Sequence, residues 1–342
     1  MRILLLGGTG LIGGATREAL LAAGHELTVL SRRPLAEGPR LRVIPGDRGD
    51  GGLLDAALAG QRFEMTVDFL AYDAPELERL FAVPGFWPGR FVMISTGQVY
   101  LVSGRPPPFV EADAEAPALP EPEPETVPWY NWVYGMGKRR AEATLRETGA
   151  ARGFPTLALR VPAVQGEADG ACSQRLWGWL ERLLDGGPVL LPDDGVQRLR
   201  FVYVGDVAEA IARLAGELPW PEVSALNLAQ PEECTLRSFV EQVAACAGVK
   251  PRLVSVPSER LARLGLSDCA PYAGRFSSRP DPSLALSLGL HTRGPEVYLP
   301  PVVRAHLEAR PARSHEGYAR RAEELAVPVG GELAVPVGGA RH

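Results

Sequence analysis

The chain has 342 residues, with 36 basic against 41 acidic side chains and a formal charge of −5. At about 150 residues per domain this is roughly two domains or one large α/β unit, and with no basic excess it is not expected to be a general nucleic-acid binder. Cys172, Cys234, Cys246 and Cys269 form no C-x-x-C pair and, with five scattered histidines, supply no metal-ligand cluster, so free thiols in a reducing cytoplasm and no bound metal are expected.

Neither a signal peptide nor a membrane span is expected, because the first apolar run, Ile3 to Leu6, ends at Gly7, far short of about 20 residues. Arg2 to Leu6 has the length of a fully buried strand. It is followed by the turn Gly7-Gly-Thr-Gly-Leu-Ile-Gly13 and a helix over about 11–23 that stops near Gly24. Further strands are predicted at 26–30, 41–44, 65–70 and 90–95, with helices at about 51–59 and 75–82. Strands alternating with helices predict a parallel sheet covered on both faces, a doubly wound α/β fold.

Residues 104–128 break the rhythm with eight prolines and six acids. No helix or central strand survives that density of proline, so a solvated surface connection is expected, with a lid as the alternative. Helices at about 131–148, 173–185, 206–216 and 235–247 and strands at 156–160, 199–204 and 225–228 follow. They suggest a smaller C-terminal α/β part that binds substrate and supplies the second wall of a cleft. The expected division is a dinucleotide-binding unit, 1–165 with 199–216 returning to it, and a substrate unit, 166–198 with 217–312. Residues 313–342, in which Glu324 to Gly331 is repeated unchanged as Glu332 to Gly339, are expected to form a flexible tail.

Three constellations carry chemistry. Gly7, Gly10 and Gly13 follow a strand and open a helix, where backbone N–H groups can approach a pyrophosphate. The second strand ends in Ser31-Arg32-Arg33 rather than in the acid that binds a ribose 2′-hydroxyl; arginine forks suit a 2′-phosphate, so NADP is favoured over NAD. Asp47 is a candidate partner for the adenine amino group, or else a cap for the next turn. Tyr134 and Lys138 are spaced to share one helix face. An ammonium there is expected to favour the phenolate and make Tyr134 usable for proton transfer, with Thr96 hydrogen-bonding the reacting oxygen.

With Ser95-Thr-Gly-Gln-Val-Tyr100, Phe201-Val-Tyr-Val-Gly-Asp-Val207, Asn227-Leu, Asp281 and Leu288-Gly289 added to these motifs, the sequence resembles the extended short-chain dehydrogenase/reductase superfamily. Within it, the resemblance is to the NAD-dependent epimerase/dehydratase branch, over about residues 2–310. The resemblance implies a Rossmann domain, a bound nicotinamide cofactor and Thr96, Tyr134 and Lys138 as the catalytic set. The implied cofactor-binding residues are Gly7, Gly10, Leu11, Ile12, Gly13, Ser31, Arg32, Arg33, Asp47, Arg48, Leu70, Ala71, Lys138 and Pro162. A small-molecule substrate is implied, a nucleotide sugar or another cyclic ketone or alcohol. Neither nucleic acid nor membrane is an expected partner, and a homodimer is compatible with the reading.

The departures bear on the reaction. Sugar 4,6-dehydratases carry Asp and Glu after the Thr, where this chain has Gly97 and Gln98; the Arg-x-x-Asn of nucleotide-sugar members is here Arg160-Val-Pro-Ala163. Arg198 and Arg200 lie near the position of a phosphate-binding Arg in such enzymes. Trp129, Trp132, Trp177 and Trp179 are expected around the cleft, either as aromatic surface for substrate or as ordinary packing. The expected chemistry is hydride transfer between nicotinamide C4 and a secondary alcohol or ketone, run once or, in an epimerase, twice. The rival is a non-catalytic dinucleotide sensor on the same fold.

Overall fold

The computed structural model describes residues 1–167, 174–216, 218–273, 278–311 and 314–328. Its central sheet has seven strands, all parallel. These are β1 (Arg2–Leu6), β2 (Glu26–Ser31), β3 (Leu41–Pro45), β4 (Met65–Asp68), β5 (Arg90–Thr96), β6 (Thr156–Val161) and a final edge strand, Ala225–Asn227. The chain lays β2 and β3 on one side of β1, then crosses to β4, β5 and β6 on the other. That reversal opens a crevice at the carboxyl ends of β1 and β4, the place where such sheets bind ligands.

Successive strand residues face opposite ways, and here both ways are apolar. In β1, Ile3 and Leu5 enter one core while Leu4 and Leu6 enter the other. The first core is closed by α1 (Leu11–Ala22), which packs against a later helix, Val204–Ala215; the second by α2 (Gly51–Leu58), α3 (Ala74–Phe81) and the long Val127–Arg152 helix. Between α3 and that long helix lies the short α4 (Gln98–Leu101), which makes Val127–Arg152 α5. α5 starts four residues before its predicted onset. Thr126 accepts from the Trp129 N–H and Pro128 sits in the first turn, where no donor is needed. Gly153, at φ +75°, ends it.

A third core belongs to the smaller part, around Trp179, Phe201, Phe239, Tyr272 and Tyr298. It is built from α6 (Arg175–Leu184), α8 (Leu236–Cys246) and the helix Pro295–Ala309, with Val204–Ala215 as α7 between the first two. Two short parallel pairs, Val189–Pro192 with Leu253–Val256 and Ala163–Gln165 with Phe201–Tyr203, complete it. Among the described residues no helix is long and apolar enough to cross a membrane.

Two expectations are corrected. The proline-rich segment is not simply a solvated connection. Phe109 is buried and stacks on Tyr100 with centroids 4.9 Å apart, and the Glu111 carboxylate accepts from the Asn227 N–H at 2.8 Å. Arg160, held by Glu142 at 2.5 Å, donates to the Glu111 carbonyl at 2.7 Å. These bonds pin the segment because Arg160 and Asn227 are buried and need every acceptor they find. The expected flexible tail is corrected over residues 314–328, which form a folded strap docked on α6. Arg182 is fully buried, and its guanidinium takes the Glu324 carboxylate at 2.6 and 2.9 Å, while Arg321 adds a bond to Glu324 at 2.8 Å. A buried guanidinium without that carboxylate would be strongly destabilising. The rest of the duplicated octapeptide lies outside the described residues.

Candidate active site

At the end of β1 the backbone turns at Gly7, whose φ of +97° disfavours any side chain. α1 begins behind Gly10 with no side-chain cap and no acid in its first turn, leaving its N-terminal N–H groups for an anion. A Cβ on Gly13 would lie 2.2 Å from the Gly7 carbonyl oxygen, so helix and turn are in contact there. A Cβ on Gly10 would meet nothing within 4 Å. Gly10 is the open edge of a cavity of about 570 Å³ at the sheet's switch point, within the size range of cofactor sites.

Every residue of the expected cofactor set from Gly7 to Leu70 lies on the wall of this cavity; Ala71, Pro162 and Lys138 are buried and do not line it. Arg48 is held by Asp68 at 2.5 Å, both buried, yet its Nε and Nη1 have no acceptor. Orphaned donors beside a glycine turn fit an anionic ligand. At the mouth, Arg32 is largely exposed and 3.4 Å from Asp47. Asp47 also caps its own turn, accepting from Gly49 N–H at 2.7 Å, and Ser31 Oγ bonds Thr9 Oγ1 at 2.9 Å.

β5 delivers Thr96 and α5 delivers Tyr134, and the Thr96 hydroxyl is near enough to the phenol to pull its pKa down. Lys138, one turn on, is 3% exposed; its Nζ donates to the carbonyls of Ala71 at 2.7 Å and Ile94 at 2.8 Å and lies 4.9 Å from the centre of the Tyr72 ring. Tyr72 lines the glycine-turn cavity and packs against Tyr134 with centroids 6.2 Å apart. Tyr134 keeps 39% of its surface exposed. Its hydroxyl is desolvated, and burial, reinforced by Tyr72, pushes its pKa up to about 12 against the pull of Thr96 and Arg175. The expectation that Lys138 makes Tyr134 a phenolate is therefore corrected. Burial is the largest cause and Lys138 is not among the groups that act on the phenol; burial likewise brings Lys138 down to about 8.

A larger cavity, about 780 Å³, runs between α4, α5 and the smaller part; neither Thr96 nor Tyr134 is on its described wall. Gln98, Asn131 and Trp132 form one wall, Leu119, Pro120 and Pro122 of the proline-rich segment another, and Tyr272 and His315 a third. Trp177 and Trp179 belong to the core instead, and Trp129 donates to Glu121 at 2.7 Å. Arg198 and Arg200 are not on the wall: Arg198 pairs with Glu233 at 3.3 Å and Arg200 donates to the Pro280 carbonyl at 2.7 Å. The sequence reading missed Asp68, Tyr72, Arg175 and His315. A lone aromatic or charge outside a motif gives no signal of its position. Among the described residues there is no cluster that could hold a metal ion.

A family model described as the NAD dependent epimerase/dehydratase family matches residues 3–224, well over half of the chain. The 2′-dehydrokanamycin reductase of Streptomyces kanamyceticus is 28% identical over 269 residues, 76% of this chain and 70% of that protein. The dTDP-6-deoxy-L-talose 4-dehydrogenase (NAD(P)(+)) of Kitasatospora kifunensis is 29% identical over 280 residues, 75% of this chain and 82% of that one. The fold is shared with the UDP-glucose 4-epimerase of Thermotoga maritima, solved with UDP-glucose: TM-score 0.70 at 20% identity, covering 91% of this chain and 100% of that one.

Proposed function

Since the chain belongs to the NAD dependent epimerase/dehydratase family, we propose that it interconverts a secondary alcohol and a ketone on a ring-bearing small molecule, through Thr96, Tyr134 and Lys138. The observation that carries this reading is that β5 and α5 bring the Thr96 and Tyr134 hydroxyls to the same place, where Tyr72 of the glycine-turn cavity packs on Tyr134. A sensor would have no use for that hydroxyl pair.

The chemistry a nicotinamide would supply when bound is hydride transfer. The glycine turn and the α1 N-terminus would hold its pyrophosphate, Ser31, Arg32 and Arg33 a 2′-phosphate, and Lys138 its ribose. Thr96 orients the substrate oxygen. Tyr134, protonated at neutral pH, is the acid that gives this oxygen a proton during reduction; in the reverse direction its phenolate, once formed, takes the proton of the alcohol. Epimerisation is the same half-reaction run twice. In this reading 1–165 with 199–216 hold the cofactor, and 166–198 with 217–312 and the strap hold the substrate.

The cofactor assignment is tested by fluorescence titration with NADPH and NADH. NADPH should bind more tightly, and Arg32→Ala should narrow the difference; equal affinities in the wild type would show the arginines to be solvated surface.

Water elimination is a different matter. A Cβ on Gly97 would lie 2.4 Å from Ser278 Oγ and 2.7 Å from its Cβ, so the position that carries Asp in dehydratases has no space for one. Gln98 lines the larger cavity but is no carboxylate base. Incubated with nucleotide-glucose donors, the protein should yield no product lighter by one water; its appearance by mass spectrometry would contradict the assignment.

A further inference from the structure

β4 ends in a carboxylate where packing alone calls for an apolar side chain. Met65 and Val67 enter the core on the α1 side, so alternation turns Asp68 to the opposite face, toward α3 and α5, where it is fully buried. A buried carboxylate is costly unless it meets an opposite charge and N–H donors. Asp68 has both. One oxygen, Oδ2, takes Arg48 at 2.5 Å, and Oδ1 accepts from the N–H groups of Leu70 at 2.8 Å and Ala71 at 3.0 Å. The Ala71 carbonyl in turn accepts from Lys138 Nζ at 2.7 Å. Arg48 also reaches the Glu76 carbonyl of α3 at 3.3 Å.

We propose that Asp68 is a positioning residue for Lys138: it fixes the Leu70–Ala71 turn whose carbonyl holds the ammonium, and its charge keeps that ammonium protonated; the part Lys138 plays in the reaction rests on the hydride-transfer reading above. Both carbonyls that Nζ meets, those of Ala71 and Ile94, are neutral. They hold the amine in place without supplying a counter-charge, and the Tyr72 ring covers it at 4.9 Å. Burial is the largest influence on Lys138 and brings it down to about 8. Against burial work Asp68 of β4, then Glu142 of α5 and, more weakly, Glu76 of α3, while Arg48 of the loop after β3 works with it. Arg48 also lines the glycine-turn cavity, so one carboxylate ties the cofactor wall to the lysine.

Lys138 and Lys250 are the only lysines of the chain. The full chain grown with lysine labelled at Cε therefore gives two side-chain NMR signals, told apart by Lys250→Arg, and they can be titrated without turnover. In the wild type Lys138 should lose its proton near pH 8. Asp68→Asn keeps the oxygen that accepts from Leu70 and Ala71 but removes the charge. Lys138 should then titrate about one pH unit lower or more, and the alkaline fall in ketone reduction should move down with it. The sign separates lost charge from damage, because a loosened site would hydrate the amine and move it up toward its ordinary 10.5. Asp68→Asn combined with Arg48→Met removes both charges together, so no lone ion stays buried, and Lys138 should still titrate below the wild type. A Lys138 titration unchanged or raised in these variants would overturn the proposal. If it falls as expected while Tyr134→Phe retains full turnover, the hydride-transfer reading fails and the hold of Asp68 on Lys138 stands. If Tyr134→Phe is inactive and Lys138 does not move, the role of Asp68 alone fails.

Discussion

Tyr134→Phe should remove a hundredfold or more of turnover, a loss of about 2.7 kcal/mol of transition-state stabilisation, while NADPH affinity stays within about twofold. The phenol is the acidic hydroxyl that α5 sets beside the Thr96 hydroxyl of β5. The substitution deletes only that oxygen from a side chain already 39% exposed, so folding should be unaffected. The variant is read by NADPH oxidation against a panel of cyclic ketones; wild-type turnover would remove Tyr134 from the mechanism. The same desolvation sets the pH profile. Tyr134 stays protonated to about 12, whereas Lys138 gives up its proton near 8. Reduction should therefore hold below pH 8 and fall above it, as Lys138 loses its charge and donor capacity while the acid remains in place.

Gly10→Val should abolish binding of NADPH and NADH and leave the protein folded. Gly10 has φ −82° and ψ −177°, an extended conformation that valine adopts readily, and its missing Cβ points into open space. The added methyls then stand where the pyrophosphate has to lie, against the first turn of α1. Gly13→Ala is the contrasting control: its Cβ falls 2.2 Å from the Gly7 carbonyl oxygen, so stability should drop with binding. Fluorescence titration and thermal melting of the two variants distinguish a blocked site from a broken turn. Unchanged cofactor affinity in Gly10→Val would place the pyrophosphate elsewhere.

Local chemistry explains what was legible in the sequence. The strand–glycine–helix opening is specified by residues adjacent in the chain, and so is the Tyr134–Lys138 spacing; both stand where the motifs put them. The alternation of apolar strands and amphipathic helices determined the sheet for the same reason. What the sequence did not disclose is tertiary. The direction of the Tyr134 pKa depends on how deeply its hydroxyl is desolvated and on Tyr72, more than sixty residues away. Whether Trp177 and Trp179 line the cleft or pack was open in the sequence; they face the third core, and one helix can bury its large residues on either side. Phe109 anchors a segment whose proline content suggested solvent. In the strap, a single duplicated octapeptide builds no repeat fold of its own and so reads as a mobile tail, whereas Glu324 within it is the carboxylate that Arg182 requires.

The central claim is that the glycine-turn cavity presents a nicotinamide to Tyr134. A crystal structure of the full chain grown with NADPH measures this directly. The account predicts the pyrophosphate against the Gly7–Gly13 turn, the 2′-phosphate between Ser31, Arg32 and Arg33, and a nicotinamide ring whose C4 leaves room for a substrate carbon about 3–3.5 Å away, within reach of the Tyr134 hydroxyl. A dinucleotide bound elsewhere, or one whose nicotinamide turns away from Tyr134, would contradict it.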